Sequence, residues 1–268
     1  MKANLLILLA LLLLIGCKKD KPEIIAPVLP VCKPIKVTYE GLEYLYTYDG
    51  KDRLTNYVEP DRKYLKFEYD TKNRPVKVIY YYRDESQVYA TEVIEYNAQG
   101  KWAKVSYSQL DNQNPSERIY EYDPVSGYRT KVTVFKAGQA QTSYAFEYNN
   151  SNMVKLSVTE HQYNADPYTY LFEYDTTHEN KLASSEEIVP FGYYTFGFGN
   201  NGTPSKNMIK QINWLTPEGK VEFYTNYKYD YDANGYPTKL TILGQDLNGD
   251  RVVNDLDAFV YNYFYACK

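Results

Sequence analysis

The chain has 268 residues, of which 44% are hydrophobic, and its formal net charge is −4 at pH 7. This length fits one large or two small domains, and the composition excludes collagen-like, disordered and coiled-coil proteins. The small negative charge argues against nucleic-acid binding, which needs a clustered basic surface. Tyrosine is unusually frequent, with 32 residues against 3 Met, 2 Trp and 2 His. Because tyrosine favours pleated, half-buried surfaces, the composition predicts an all-β protein.

The first segment, residues 1–16, is typical of a secretion signal. Lys2 gives a positive start, and the apolar run from Leu5 to Ile15 is shorter than the roughly 20 residues of a spanning helix. The run ends in Leu14-Ile15-Gly16-Cys17, which resembles a bacterial lipobox. The resemblance implies cleavage before Cys17 and attachment of a diacylglycerol to its thiol. The alternative is an ordinary cleaved signal with an incidental cysteine.

Residues 17–34 are predicted to form an extended tether. They contain four prolines and no hydrophobic period, a pattern typical of a linker. The start Cys17-Lys18-Lys19-Asp20 resembles that of Bacteroidetes outer-membrane lipoproteins. The resemblance implies anchoring in the outer membrane through two or three acyl chains, which together hold stably. The sequence leaves open whether the protein faces the periplasm or the exterior.

A short block recurs along the rest of the chain: an aromatic or aliphatic residue, a mostly charged residue, Tyr, then Asp or Asn. Its second aromatic residue recurs at spacings of 21, 27, 26, 26 and 26 residues from Tyr48 to Tyr174. The copies start at Tyr46, Phe67, Ile94, Tyr120, Phe146, Phe172 and Tyr229, with a degenerate copy at 196–199 and a partial one at 259–262. Such regular spacing indicates an internal structural repeat.

Each block is followed by a polar turn and a second β-rich run. Asp70-Thr71-Lys72-Asn73-Arg74, for example, leads into Pro75–Ile79. An Asp or Asn that opens the turn and a Gly or Asn near its end are typical of a tight hairpin. The sequence therefore predicts an antiparallel meander of about eight to nine hairpins over residues 35–268. Residues 192–205 are the expected break in the pattern.

The alternation of side chains along a strand predicts the two faces of this sheet. Pairing Tyr69 with Val76 places Glu68 opposite Lys77, and the same construction pairs Glu147 with Lys155 and Glu121 with Lys131. Opposed charges of this kind stabilise a solvated face. The other face is then aromatic.

The block, its Asn- or Gly-containing turn and the aliphatic return strand resemble the YD repeat of Rhs-type bacterial surface and toxin-shell proteins. They are also similar to uncharacterised Bacteroidetes lipoproteins built from such repeats. The likeness covers about residues 39–265, although most turns lack the usual Gly-Arg pair. It implies a long antiparallel sheet that coils around an interior.

An exposed aromatic face would be a very large apolar patch, so the sheet has to cover it. The sequence predicts either a barrel-like shell or two facing layers. A transmembrane β-barrel is the structural rival, because its strands also alternate in polarity. The Glu–Lys pairs argue against it, since they would face lipid or a pore.

Catalytic motifs are not recognisable in the sequence. His161 and His178 lack paired-ligand spacing and are predicted to lie in loops, and no nucleophile elbow or phosphate loop is seen. The carboxylates recur with the repeat, which suggests a structural role. We therefore expect a non-catalytic module that binds a partner protein or a glycan, with a purely structural scaffold or a glycan hydrolase as alternatives. Some of the aromatic residues at 80–82, 168, 170 and 193–194 are expected to present rings outward for such contacts.

Three further sites are predicted. Cys32 and Cys267 bracket the repeats and, in an oxidising compartment, are expected to form a disulfide that fastens the two terminal strands. The segment 175–177 resembles a short Bacteroidetes O-glycosylation signal with Thr176 as acceptor.

The third is a calcium site, because oxygen ligands recur through a twelve-residue loop as Ca²⁺ requires. Its predicted ligands are Asp246, Asn248, Asp250, Val252 (through its carbonyl), Asn254 and Asp257. The loop resembles that of dockerin repeats, but Arg251 stands where such loops keep a Gly, and a strand is predicted to follow in place of a helix. The rival is a polar hairpin loop in which Asp and Asn bond the turn backbone.

Overall fold

The computed structural model describes residues 31–60, 63–82, 87–110, 115–162, 167–182, 205–246 and 258–268. Within these ranges all regular elements are β-strands, and sixteen of them form one closed antiparallel barrel. The strands are β1 Cys32–Tyr39, β2 Leu42–Tyr48, β3 Leu54–Glu59, β4 Lys63–Tyr69, β5 Pro75–Tyr81, β6 Val88–Tyr96, β7 Trp102–Gln109, β8 Ser116–Tyr122, β9 Arg129–Lys136, β10 Gln139–Asn149, β11 Asn152–Glu160, β12 Tyr168–Glu179, β13 Asn207–Leu215, β14 Val221–Tyr231, β15 Pro237–Asp246 and β16 Phe259–Cys267. Each strand pairs with its neighbours in sequence, and β1 pairs with β16. The predicted all-β meander is confirmed, and it closes as a barrel.

The two faces of the sheet differ as the alternation predicts. Buried aromatic and aliphatic side chains from all around the barrel form one core inside it. The outer face carries cross-strand ion pairs between Lys and Glu: 36–43, 77–68, 104–95, 131–121 and 155–147. These glutamate side chains are more than half exposed, so the outer surface is charged around a large part of the barrel.

The predicted register is correct for the charged pairs and wrong by one residue beside them. Glu68 lies opposite Lys77, but Tyr69 pairs with Pro75 and not with Val76. A β-bulge between Glu68 and Tyr69 inserts one extra residue into the return strand. The same bulge precedes the second aromatic residue of seven hairpins, so it belongs to the repeat.

The aspartate that follows this tyrosine builds the turn. Asp70 Oδ1 accepts hydrogen bonds from the backbone N–H groups of Lys72 and Arg74, and Oδ2 accepts one from Arg74 Nε. Asn73, just before Arg74, has a φ of 62°, a left-handed conformation that Asn tolerates. Asp49, Asn97 and Asp232 bond their turns in the same way.

Neighbouring turns are joined through the second tyrosine of several repeats. The hydroxyl of Tyr69 donates to the carbonyl of Leu54 in the preceding hairpin at 2.7 Å, and Arg53 lies over its ring at 4.7 Å. Tyr96 repeats both contacts with the Pro75 carbonyl and Arg74. We call the end of the barrel that carries these turns the turn rim and the opposite end the loop rim.

The C-terminal strand carries a repeat copy at a different position from the one predicted. Tyr265 donates its hydroxyl to the preceding hairpin, at the Pro237 carbonyl. The copy predicted at 259–262 is therefore shifted by four residues. The degenerate copy at 196–199 lies outside the described residues.

A disulfide joins Cys32 and Cys267 with an S–S distance of 2.04 Å at the turn rim. It lies where β1 and β16 pair, so it fastens the seam that closes the barrel. Strand β1 begins at Cys32, three residues before the predicted start of the folded domain.

Candidate functional site at the loop rim

The half of the interior nearest the loop rim differs from the rest of the core. The inward positions there carry charged residues and partly exposed rings among the apolar ones. They form two groups on either side of β8 to β10. We call them the Tyr80 cluster, made of Tyr80, Tyr82, Tyr89 and Tyr107, and the Trp214 cluster, made of Tyr168, Tyr170 and Trp214.

The Tyr80 cluster is an array of rings on β5 to β7 and the chain beside them. Tyr80 makes edge contacts with Tyr89 and Tyr107 at centroid distances of 5.9 and 6.2 Å, and Tyr89 lies 4.9 Å from Tyr82. Tyr80 is directed inward because it pairs with Ala90 and Leu65, both of which are buried. Tyr82, at 46% exposure, brings this array into contact with solvent.

An ion pair lies below these rings. Arg118 on β8 contacts Glu92 on β6, and the side chain of Glu92 is only 15% exposed. Burial and then the Glu92 carboxylate raise the pKa of Tyr80 well above its usual value. Burial lowers the pKa of Arg118, but Glu92 and the surrounding tyrosines outweigh this effect and raise it. The inward direction of both charges is the feature that sequence reasoning missed.

The Trp214 cluster lies on β12 and β13. Trp214 packs against Tyr170 and Tyr168 at centroid distances of 5.2 and 5.7 Å. Tyr168 donates its hydroxyl to Glu160 at 3.3 Å, and burial and then Glu160 raise the pKa of Tyr168 to about 12. Trp214 pairs with buried Tyr170 and is therefore directed inward, yet it remains 38% exposed.

Together these residues combine flat aromatic surfaces with fixed polar groups. An aromatic face can stack on an apolar ligand surface, and a nearby carboxylate can accept hydrogen bonds from ligand hydroxyls. Glu160 beside the Trp214 cluster supplies such an acceptor. The Glu92 carboxylate below the Tyr80 cluster is instead engaged by Arg118.

The aromatic residues predicted to face outward do not all do so. Tyr80, Tyr168 and Tyr170 are directed inward because each pairs with a buried inward residue. Tyr81 does lie on the outer face, beside Lys66 and Tyr64. The residues at 193–194 lie outside the described residues. The prediction was wrong for Tyr80, Tyr168 and Tyr170, because β5 and β12 extend further along the barrel than the repeat block.

His178 and Thr176 lie on β12 toward the turn rim, away from this site, whereas His161 directly follows Glu160 at the loop rim. His161 is in a turn, where its Nε2 lies 2.8 Å from Ser143 Oγ, but His178 is inside β12 and not in a loop. Its Nδ1 lies 2.6 Å from Asp175 Oδ2, and its ring stacks on Tyr231. Thr176 is exposed where the pairing of β12 is interrupted.

The tentative calcium ligands lie almost entirely beyond the described parts of the chain. Asp246 is the last residue of β15, at the loop rim, and pairs with Phe223. Asn248, Asp250, Val252, Asn254 and Asp257 lie outside the described residues, as does Cys17. Among the described residues no group of three or more potential metal-ligating His, Cys, Asp or Glu side chains occurs. Calcium binding stays a prediction.

The fold defines a class: a closed sixteen-stranded antiparallel barrel with an aromatic interior and a charged outer face. Two solved structures are similar to it. A porin-like protein from Bacteroides uniformis matches with a TM-score of 0.59 and 14% identity, over 89% of this chain and 98% of that one. A porin-like protein from Bacteroides vulgatus matches with a TM-score of 0.56 and 11% identity, over 87% and 98%. At these identities the likeness shows the fold alone.

No protein-family model and no curated protein sequence matches the chain. In the described ranges, no helix is long and apolar enough to cross a membrane.

Proposed function

We propose that this protein is a lipid-anchored component of the outer membrane that binds glycans without catalysis. The binding site is the loop-rim half of the barrel interior. The observation that carries the proposal is the Trp214 cluster, in which a partly exposed indole and two tyrosine rings lie beside the Glu160 carboxylate. A sugar has an apolar C–H face and a polar edge of hydroxyls, so it matches a flat ring that adjoins a hydrogen-bond acceptor.

The charged outer face supports a barrel that stands in water. Glu95 and Lys104 pair on the outer surface at 2.8 Å, and Glu147 and Lys155 pair at the same distance. A Lys or Arg on the lipid face of a membrane barrel costs roughly 2–4 kcal/mol at the bilayer midplane. The ion pairs recur around the barrel, so the total cost in lipid would be large.

The lipid anchor of the proposal is Cys17, which precedes the barrel in sequence. Strand β1 begins at Cys32, so the chain enters the barrel at the turn rim. Cys17→Ser should release the protein from the membrane fraction and abolish labelling with a fatty-acid analogue. Unchanged fractionation and mass would contradict lipidation.

Glycan binding is tested with the soluble Cys17→Ser chain, first on an array of bacterial and plant glycans and then by titration with an oligosaccharide that the array retains. The chain has two tryptophans, at 102 and 214, so Trp102→Phe leaves Trp214 as the only indole. We expect the oligosaccharide to change Trp214 fluorescence with a saturable dependence.

Trp214→Ala should weaken binding at least tenfold, which corresponds to a loss of about 1.4 kcal/mol in the free energy of binding. Phe264→Ala is the matched control, because Phe264 is an aromatic residue exposed on the outer face. Binding that survives Trp214→Ala combined with Tyr168→Ala would contradict the proposed site. An array without hits would favour the structural scaffold, and cleavage of a retained glycan would favour the hydrolase. Capture of a protein by the outer face would favour a protein partner.

A further inference from the structure

Arg129, the first residue of β9, is a buried cation in the turn-rim half of the interior. It is 3% exposed, and its guanidinium lies over the Phe146 ring at 4.1 Å. Burial lowers its pKa, an effect that the neighbouring tyrosines oppose. Its Nε and Nη1 atoms are buried without a hydrogen-bond partner among the described residues. A buried polar group normally has such a partner, and a buried charge normally has a counter-charge.

The repeat itself does not require this arginine. Arg129 stands opposite Tyr122, the second aromatic residue of its hairpin. The equivalent position in the other hairpins is apolar in every described case: Leu54, Pro75, Trp102, Met153, Ile209 and Pro237. An isolated charge at a position that the architecture fills with apolar side chains indicates a specific role.

The described surroundings of Arg129 supply rings but no carboxylate. Tyr120, Tyr122 and Tyr148 act on its charge, and the Tyr148 side chain hydrogen-bonds the guanidinium. Among the described residues no Asp or Glu forms a salt bridge with it. The π faces attract the cation, but they provide no acceptor to the Nε–H and Nη1–H groups.

We propose that Arg129 binds a small monovalent anion of about the size of chloride inside the barrel. The anion accepts a hydrogen bond from one of these two N–H groups, which point to different edges of the guanidinium plane, and it neutralises the buried charge. The almost complete burial of the side chain favours a small ion over a bulky organic anion. This site is separate from the glycan site, which lies at the other end of the interior.

The test is the melting temperature of the Cys17→Ser chain in sodium fluoride, gluconate, chloride, nitrate and phosphate at fixed ionic strength. An anion that binds only the folded state stabilises it in proportion to RT ln(1 + [L]/Kd). We expect chloride and nitrate to raise the melting temperature by about 3 °C at saturation relative to gluconate, a shift typical of a ligand that contributes about 1 kcal/mol in a chain of this size. The dependence on concentration should fit a single site.

Arg129→Met should abolish this anion dependence, and Arg129→Lys should retain part of it. Arg53→Met is the control, since Arg53 is a partly exposed arginine paired with Asp49, and its removal should leave the dependence intact. If Arg129→Met does not fold, chloride NMR line broadening of the unmodified barrel gives the answer directly. A melting temperature that is equal in all five salts, with no excess line broadening, would overturn the proposal.

Discussion

Single tyrosine hydroxyls join several hairpins of the barrel to the ones before them. Tyr69 reaches the Leu54 carbonyl, Tyr96 reaches Pro75, and Tyr174 reaches Met153 at 2.6 Å. The hydroxyl is therefore what distinguishes Tyr from Phe at this position, since either ring could pack below the neighbouring cation.

Replacing Tyr69 by Phe tests this role. The variant keeps the ring below Arg53 but leaves the Leu54 carbonyl without the hydroxyl donor. We expect a loss of about 1 kcal/mol in the free energy of unfolding, measured by urea denaturation. Tyr81→Phe on the outer face is the control and should change stability by less than about 0.5 kcal/mol. Equal losses in both variants would show that the bond to Leu54 adds nothing.

The turn aspartates make stability depend on pH. Backbone and side-chain hydrogen bonds from Arg53 lower the pKa of Asp49 from 3.8 to about 2, and those from Arg74 lower that of Asp70. A lowered folded-state pKa contributes stability above about pH 4, and this contribution is lost as the pH falls through the folded pKa toward 2. Asp49→Asn/Asp70→Asn should therefore lower the urea midpoint at pH 7 and leave it unchanged near pH 2.

The reciprocal variant is Asn97→Asp, since Asn97 occupies the same turn position with Lys101 four residues later. It should raise the urea midpoint above pH 4. A second outcome is that the double variant Asp49→Asn/Asp70→Asn differs from the parent in urea midpoint by the same amount at pH 7 and near pH 2. That result would contradict the assignment of the effect to ionised turn aspartates.

Among the elements, the hairpins were largely predictable from the sequence. The alternation and the spacing of the blocks predicted the strands, the inner and outer faces and the Glu68–Lys77 pairing. The bulge before Tyr69 was not predictable, because one extra residue leaves the alternation on either side intact. It moves Tyr69 opposite Pro75. Closure into a barrel was one of two predicted shapes, because strand alternation alone does not fix the curvature of a sheet.

The candidate site was less predictable. Glu92 and Arg118 are charged, as are many residues of the outer face, but they lie at inward positions. A usable signal was present: Glu92 lies two residues before buried Ile94, and Arg118 lies two residues before buried Tyr120. Residues two apart in a strand share a face, so parity could have identified both. The contact between them depends on the register of β6 to β8.

The seam between β1 and β16 is the element-scale feature that the disulfide stabilises. The cysteines are separated by 235 residues in sequence, so the chain-entropy model gives a contribution of about 5 kcal/mol as an upper figure. We expect Cys32→Ser/Cys267→Ser to unfold at a clearly lower urea concentration, and reductant to lower the parent to the same midpoint. Reductant should not affect the double variant. Free alkylation of both cysteines in the native protein would contradict the bond.

The segment 246–257 carries the calcium prediction. If its oxygen ligands bind Ca²⁺, calorimetric titration should give a saturable heat, and chelator should lower the melting temperature. Asp246→Ala/Asp250→Ala should lose both effects. Equal heats and equal melting temperatures in the parent and the variant would identify the segment as a polar turn.

At the scale of the whole molecule, the barrel has an aromatic inside and a charged outside. This is the reverse of a membrane barrel, whose outer band is apolar and whose lumen is polar. The similarity to porin-like proteins therefore concerns the path of the chain. The outer Glu–Lys pairs and the inner core together predict a barrel that is stable in water.

The most direct test of this account is sedimentation and near-UV circular dichroism of the Cys17→Ser chain, produced without its signal segment, in detergent-free buffer. We expect a soluble, folded species that sediments uniformly and whose aromatic dichroism is lost cooperatively on heating. Added detergent should change neither the fold nor the melting temperature. A chain that aggregates in buffer and folds only in detergent would contradict the charged outer face and, with it, the proposal of a barrel tethered outside the bilayer.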